Sequence, residues 1–177
     1  MIDDKPAIAL LGPAIQNGQG SIAATVAGSL AANGYVVIVT GKGHTATSAA
    51  TAATGYGGSV CVVTEPDAAP EDGPGQGRTI MIRPSQLQCT EAILEHADAL
   101  VVLPGDLHAL ATLLQVWSYG TTTDEPYRPI VLLGEAWPML IKSLASAANL
   151  DQQQRAMVTF ATAVDEAVES LRYYIAP

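Results

Sequence analysis

The chain is short of positive charge. Eight Lys and Arg stand against 17 Asp and Glu in 177 residues, for a net charge of −9. No stretch gathers the cations into a basic stripe, so a nucleic-acid partner is not expected. Charge of either sign is scarce, at 14% against 49% hydrophobic residues, much of it alanine. That is the composition of a globular chain, and 177 residues suffice for one domain with a real core. No apolar run reaches the roughly 18–20 residues that cross a bilayer. The opening MIDDKP is acidic where a secretory leader is basic, and it runs directly into a strand pattern. The expected location is therefore cytoplasmic, with no membrane partner. Cysteine is limited to Cys61, in a strand pattern, and Cys89, in a helix pattern, with no CxxC. Buried thiols fit that placement better than a disulfide or metal ligands.

Reaction motifs are missing too. The sequence has no GxGxxG, no full GxxxxGK[ST], no HExxH and no nucleophile elbow in a Ser-His-Asp order. A paired-carboxylate hydrolase needs two acids at strand ends, and only Asp106 clearly stands at one.

What is present is an alternation of strands and helices. Pro6–Gly12 (PAIALLG) is wholly apolar, as in a strand covered on both faces. After a turn-rich loop, Ser21 is placed to cap a helix over Ile22–Ala32 that stops at Asn33-Gly34. Tyr35–Thr40 predicts a strand, Thr45–Thr54 a helix and Ser59–Thr64 a strand. Residues 65–78 read as a flexible acidic Pro/Gly loop, either a solvated connector or a lid. Thr79–Ile82 predicts a short strand at an edge. A helix follows from Pro84-Ser85 to Ala97, with Leu87, Ile93 and Leu94 on its buried side. Asp98–Leu103 is a strand and Leu107–Tyr119 a helix. Gly120–Pro129 is a turn region and Ile130–Leu133 a strand. Glu135–Ala148 is a helix that tolerates Pro138 in its first turn, Met157–Ala161 a last strand, and Val164–Ile175 an amphipathic closing helix. The expected fold is α/β: residues 1–177 as a single Rossmann-like domain, a doubly wound parallel sheet of six to seven strands with helices on both faces.

In such sheets ligands bind at the carboxyl ends of the strands, where strand order reverses. Three glycine corners fall there. Gly12-Pro13 through Gly20-Ser21 either offers free amides to an anion or is a plain turn. Gly41-Lys42-Gly43-His44-Thr45 combines close backbone approach, a positive charge and a hydroxyl, and reads as an anion site. In Pro104-Gly105-Asp106-Leu107-His108, Asp106 suits an N-cap. If their strands flank the reversal point, His44 and His108 look into one crevice with Lys42 and Asp106 nearby. That set suits a phosphate better than a metal, and no metal site is assigned.

The segments KPAIALLGP, ANGYVVIVTGKG, GYGG before SVCVV, EHADALVVLPG, RPIVLLG and VDEAVESLRYY, in that order, resemble a Rossmann-like family over nearly the whole chain. It is the family termed "lysine decarboxylase-like", which includes the Lonely Guy (LOG) cytokinin-activating phosphoribohydrolases and the molybdenum cofactor carrier proteins. KPAIALLGP and PIVLLG look closest to the carrier branch. The family's PGGxGTxxE is degenerate here: Asp106 replaces the second glycine, His108-Ala109 the glycine-threonine pair and Thr112 the glutamate. The arginine that the hydrolases carry on the preceding helix is Cys89. The resemblance thus implies a pseudoenzyme with no catalytic residue. It implies a phosphorylated ligand, molybdenum cofactor or a nucleoside monophosphate; the three glycine corners place it at Gly12, Pro13, residues 41–45, Pro104, Gly105, Asp106 and His108. A divergent nucleoside 5'-monophosphate phosphoribohydrolase and an interaction protein with a vestigial site are the alternatives. The resemblance also implies a homodimer or higher homo-oligomer, formed through helices beside the crevice.

Overall fold

A computed structural model of the chain describes residues 2, 4–13, 20–40, 44–69, 76–122 and 128–175. Among them, seven parallel strands form one sheet: β1 (Ala7–Leu11), β2 (Val36–Thr40), β3 (Val60–Thr64), β4 (Arg78–Ile82), β5 (Ala99–Val102), β6 (Ile130–Leu133) and β7 (Val158–Ala161). Their order is β4-β3-β2-β1-β5-β6-β7, so the chain winds outward one way from β1 and then returns to add β5 on its other side. The reversal lies between β1 and β5, and β4 is an edge, as expected.

The helices are α1 (Gly20–Ala32), α2 (His44–Gly55), α3 (Gln86–His96), α4 (Leu107–Thr122), α5 (Trp137–Ala147), α6 (Gln152–Ala156) and α7 (Val164–Tyr174). Both faces of the central strands are covered, which is why those strands are apolar without alternation. Ile8, Leu10, Val37 and Val39 face α1, α2 and α7, while Ala7, Ala9, Leu11, Val36 and Ile38 face α3, α4 and α5. The first layer is built of small residues. Ala23, Ala27, Ala49 and Ala53 are fully buried in it, so the alanine of the composition is spent on close packing of α1 with α2. Gly34 ends α1 at φ +84, the left-handed turn that Asn-Gly foretold.

Several boundaries differ from expectation. Helices α1 and α2 begin at Gly20 and His44, so Ser21 and Thr45 lie inside the helices. Residues 66–68 form a 3-10 turn and Arg78 already belongs to β4; residues 70–75 of that loop lie outside the described set. Leu87 is exposed, because the buried arc of α3 runs through Cys89, Thr90, Ala92 and Ile93. Helix α4 continues three residues past Tyr119. Helix α6 was not expected. Its signal is a capping box: Asp151 accepts from the Gln154 amide while the Gln154 side chain accepts from the Asp151 amide. No helix among the described residues is long and apolar enough to cross a membrane.

Candidate functional site

Parallel strands all end on one edge, and there the ends of β1, β2 and β3 meet the first turns of α3 and α4. They enclose a cavity of about 320 Å³. Leu11 and Gly12 at the end of β1, Thr40 at the end of β2, and Thr64 and Glu65 at the end of β3 line one side. Gln86 and Cys89 from α3, and His108, Ala109 and Thr112 from α4, line the other. The cavity sits beside the reversal of strand order, where an open α/β sheet binds its ligand.

Polar contacts join the two helices across it. Ser85 caps α3 through the Gln88 amide. Gln86 Nε2 makes a long hydrogen bond, 3.4 Å, to Thr112 Oγ1, which itself donates to the His108 carbonyl at 3.1 Å. One turn on, Thr90 Oγ1 donates to Gln115 Oε1 at 3.2 Å. Thr112 is thus a buried crosspiece between α3 and α4.

The Pro104–His108 turn lies between two spaces. His108 and Ala109 line the cavity just described. Pro104, Gly105, Asp106 and Leu107 line a second cavity on the other side, between α4 and α5. The turn is pressed against the end of β1. A Cβ on Gly105 would meet the Ala109 Cβ at 2.8 Å and the Pro13 nitrogen at 3.4 Å, so only glycine fits. Asp106 is the N-cap that its position suggested: the Ala109 amide donates to its Oδ1 at 3.0 Å. The first turn of α4 is therefore closed by the chain's own carboxylate.

Among the described residues, Glu65, just past β3, brings a carboxylate to the first cavity, and Arg83, just past β4, acts on the nearby thiols. Burial pushes the Cys89 thiol up; the Glu65 carboxylate adds to that and the Arg83 guanidinium opposes it. Burial likewise pushes the Cys61 thiol up to about 11, again against Arg83. Both thiols are neutral near pH 7, and both cysteines are buried and unbridged.

Of the residues expected at the site, Gly12, His108 and the Thr112 and Cys89 positions come together at one cavity. Pro13 packs against Gly105, which lines the second cavity with Pro104. Asp106 faces the other way, so the crevice does not gather it beside His108. Gly41, Lys42 and Gly43, and the side chains of His44 and Thr45, lie outside the described residues. The last described residue before that corner, Thr40, does line the cavity. No group of three His, Cys, Asp or Glu suited to a metal occurs among the described residues. Sequence reasoning missed Thr40, Thr64, Glu65 and Gln86. A polar residue within two positions of the end of an apolar strand is the signal that finds three of them.

A family model described as "Possible lysine decarboxylase" matches residues 46–173, well over half of the chain. Among solved structures, the molybdenum cofactor carrier protein of Chlamydomonas reinhardtii superposes with a TM-score of 0.73 at 19% identity, over 98% of this chain and 99% of its own. The molybdenum cofactor binding protein of Rippkaea orientalis gives 0.74 at 15% identity, over 97% and 98%. The single-stranded-DNA-binding DNA processing protein A of Helicobacter pylori gives 0.65 at 13% identity, over 96% and 81%. At such identities these likenesses are of fold. No curated protein matches the sequence significantly.

Proposed function

The chain belongs to the possible lysine decarboxylase family, and from that premise we propose that it binds a phosphorylated nucleotide- or pterin-like molecule at the cavity between β1–β3, α3 and α4, without cleaving it. The observation that carries this reading is the pair Cys89 and Thr112. Both line the cavity, at the positions where the resemblance puts an arginine and a glutamate. Cleaving an N-glycosidic bond passes through a cation-like sugar that a carboxylate must stabilise. A neutral thiol and a hydroxyl held between Gln86 and the His108 carbonyl supply neither charge. The hydroxyls of Thr40 and Thr64 and the Gln86 amide suit a heterocycle rich in hydrogen-bonding groups. A volume of about 320 Å³ lies at the small end of ligand pockets, about 300–1,000 Å³. Molybdenum cofactor, as cargo, is the pterin that the carrier-like fold favours; a nucleoside monophosphate is the other ligand of that size.

One observation favours a second reading. Glu65 places a carboxylate on the wall of the same cavity and its field is felt at Cys89. A relocated acid of this kind would suit a divergent phosphoribohydrolase. A thermal-shift screen with AMP, other nucleoside monophosphates and pterins, followed by chromatography of the mixtures, separates the two. The binding reading expects a raised melting point and no free base. A released base that disappears in Glu65→Gln while the melting shift persists establishes the second reading. A flat screen removes both, since a ligand of the folded state must raise the melting point by mass action.

A further inference from the structure

The second cavity, about 340 Å³ between α4 and α5 at the ends of β5 and β6, carries a separate signal. Its walls are apolar: Pro104, Leu107, Leu110, Ala136 and Leu140, with the indole of Trp137 among them. Trp137 is 4% exposed, and its indole N–H is buried with no acceptor among the described residues. Buried indole N–H groups ordinarily find a partner, because leaving the donor unmatched forfeits its solvation. The other tryptophan obeys that rule: Trp117 Nε1 donates to the Gln154 carbonyl at 2.9 Å.

The indole is held by its surroundings. A Cβ on Gly134 would lie 2.8 Å from the Pro104 ring and 3.8 Å from Trp137 Cδ1, so β6 turns tightly against the Pro104 corner beside the pyrrole edge of the ring. Pro138 stands in the first turn of α5 and fixes the backbone next to it. At the mouth, Leu107 is 80% exposed and Leu140 42% exposed, so apolar surface continues outward. Among the described residues on the wall, the one charge is the Asp106 carboxylate, which disfavours an anion there.

We propose that this cavity is a second ligand site, for a small neutral molecule or group with an apolar body and one carbonyl-type acceptor directed at Trp137 Nε1. An apolar body replaces water against the leucines, and the acceptor matches the donor that the fold leaves unpaired. The proposal needs no phosphate and does not depend on the ligand of the first cavity.

The experiment uses acetophenone and ethylbenzene, which differ by one carbonyl oxygen against two hydrogens, on the intact ¹⁵N-labelled chain. Two indole N–H resonances are expected, with Trp137→Phe assigning one by its loss. Acetophenone up to about 1 mM should shift the Trp137 resonance saturably and leave Trp117 in place. Ethylbenzene, followed by the shifts of methyl groups on Leu110 and Leu140, should bind at least about tenfold more weakly, the usual worth of one well-made hydrogen bond. Equal binding of the two probes, or no shift with either, overturns the proposal. So does a Trp137 resonance that moves on dilution of the protein and not with probe, because a second copy of the chain would then fill the cavity. All three outcomes are read on the unsubstituted protein, so a Trp137→Phe chain that fails to fold removes only the assignment. That is then supplied by Trp117→Phe.

Discussion

Asp106 allows a sharp test of where an anion can sit. Its carboxylate accepts from the Ala109 amide at 3.0 Å, so it both occupies an amide of α4 and places a negative charge at the helix end that elsewhere attracts anions. Asp106→Gly removes both obstacles. Its cost to stability should be small, a few tenths of a kcal/mol, because glycine is a good N-cap residue; the melting point should fall by about 1 °C. The gain to a bound phosphate has two parts. A helix N-terminus attracts an anion by about 0.3–1 kcal/mol. A phosphate charge about 6 Å from the lost carboxylate escapes a repulsion of about 0.7 kcal/mol at the dielectric of water and about 2.8 kcal/mol at an effective value of 20. The sum is at least about 1 kcal/mol, or about fivefold in Kd. Calorimetric titration with AMP should show that tightening, and adenosine should show none. Asp106→Asn keeps a cap and removes the charge, so it should recover the repulsion part alone. Equal affinity of AMP for all three proteins would mean that phosphate does not approach α4, and the anion would have to be sought elsewhere on this edge.

Other consequences follow from the titrating groups. At pH 8 the Cys61 thiol, pushed up to about 11, is about one part in a thousand thiolate; with both cysteines buried, iodoacetamide should label the native chain at least a hundredfold more slowly than the unfolded one. A ligand of the first cavity should slow Cys89 further and leave Cys61 unchanged, and fast labelling of both would contradict their burial. Glu166 accepts from the Thr162 amide at 2.6 Å and the Thr162 hydroxyl at 2.9 Å, contacts that hold its carboxyl below the usual 4.5. Its contribution is then present above pH 4.5 and lost as pH falls through the lower folded value. Melting curves between pH 6 and 3 should drop more steeply for the native chain than for Glu166→Gln; parallel curves would count against the contact.

The framework was legible because burial on both faces writes itself as uninterrupted β-branched and aliphatic runs. PAIALLG and the VCVV of β3 have no polar residue to spare for a solvent face, and Ile130–Leu133 matched the observed strand to the residue. Helix ends were legible where a side chain or a left-handed glycine does the stopping, as at Gly34 and Ser85. They were misplaced at α4, which runs through Gly120 to Thr122 where the sequence suggested a turn. Leu87 misled as well. Hydrophobicity alone assigns it to a core, but only the angular position of Cys89 and Ile93 shows which side of α3 faces the sheet.

The site divides along the same line. Glycine corners announce themselves, because close approach excludes every other side chain, as the 2.8 Å contact at Gly105 makes plain. Facing is another matter. The turn from Pro104 to His108 sends its first four residues toward one cavity and His108 toward another, a change of side within one turn of chain that no spacing encodes. Glu65 was hidden for the opposite reason. It opens a segment whose acids all look solvated, yet it stands one residue beyond β3, where the strand's own geometry carries it to the cavity wall. Thr112 shows how far a substitution can shift a residue's work. At the place where the resemblance expects a carboxylate, its hydroxyl is already satisfied between two helices, so putting a glutamate there would have to break the Gln86 contact before it could restore any charge. Placing a carboxylate at that position therefore requires changing α3 together with α4.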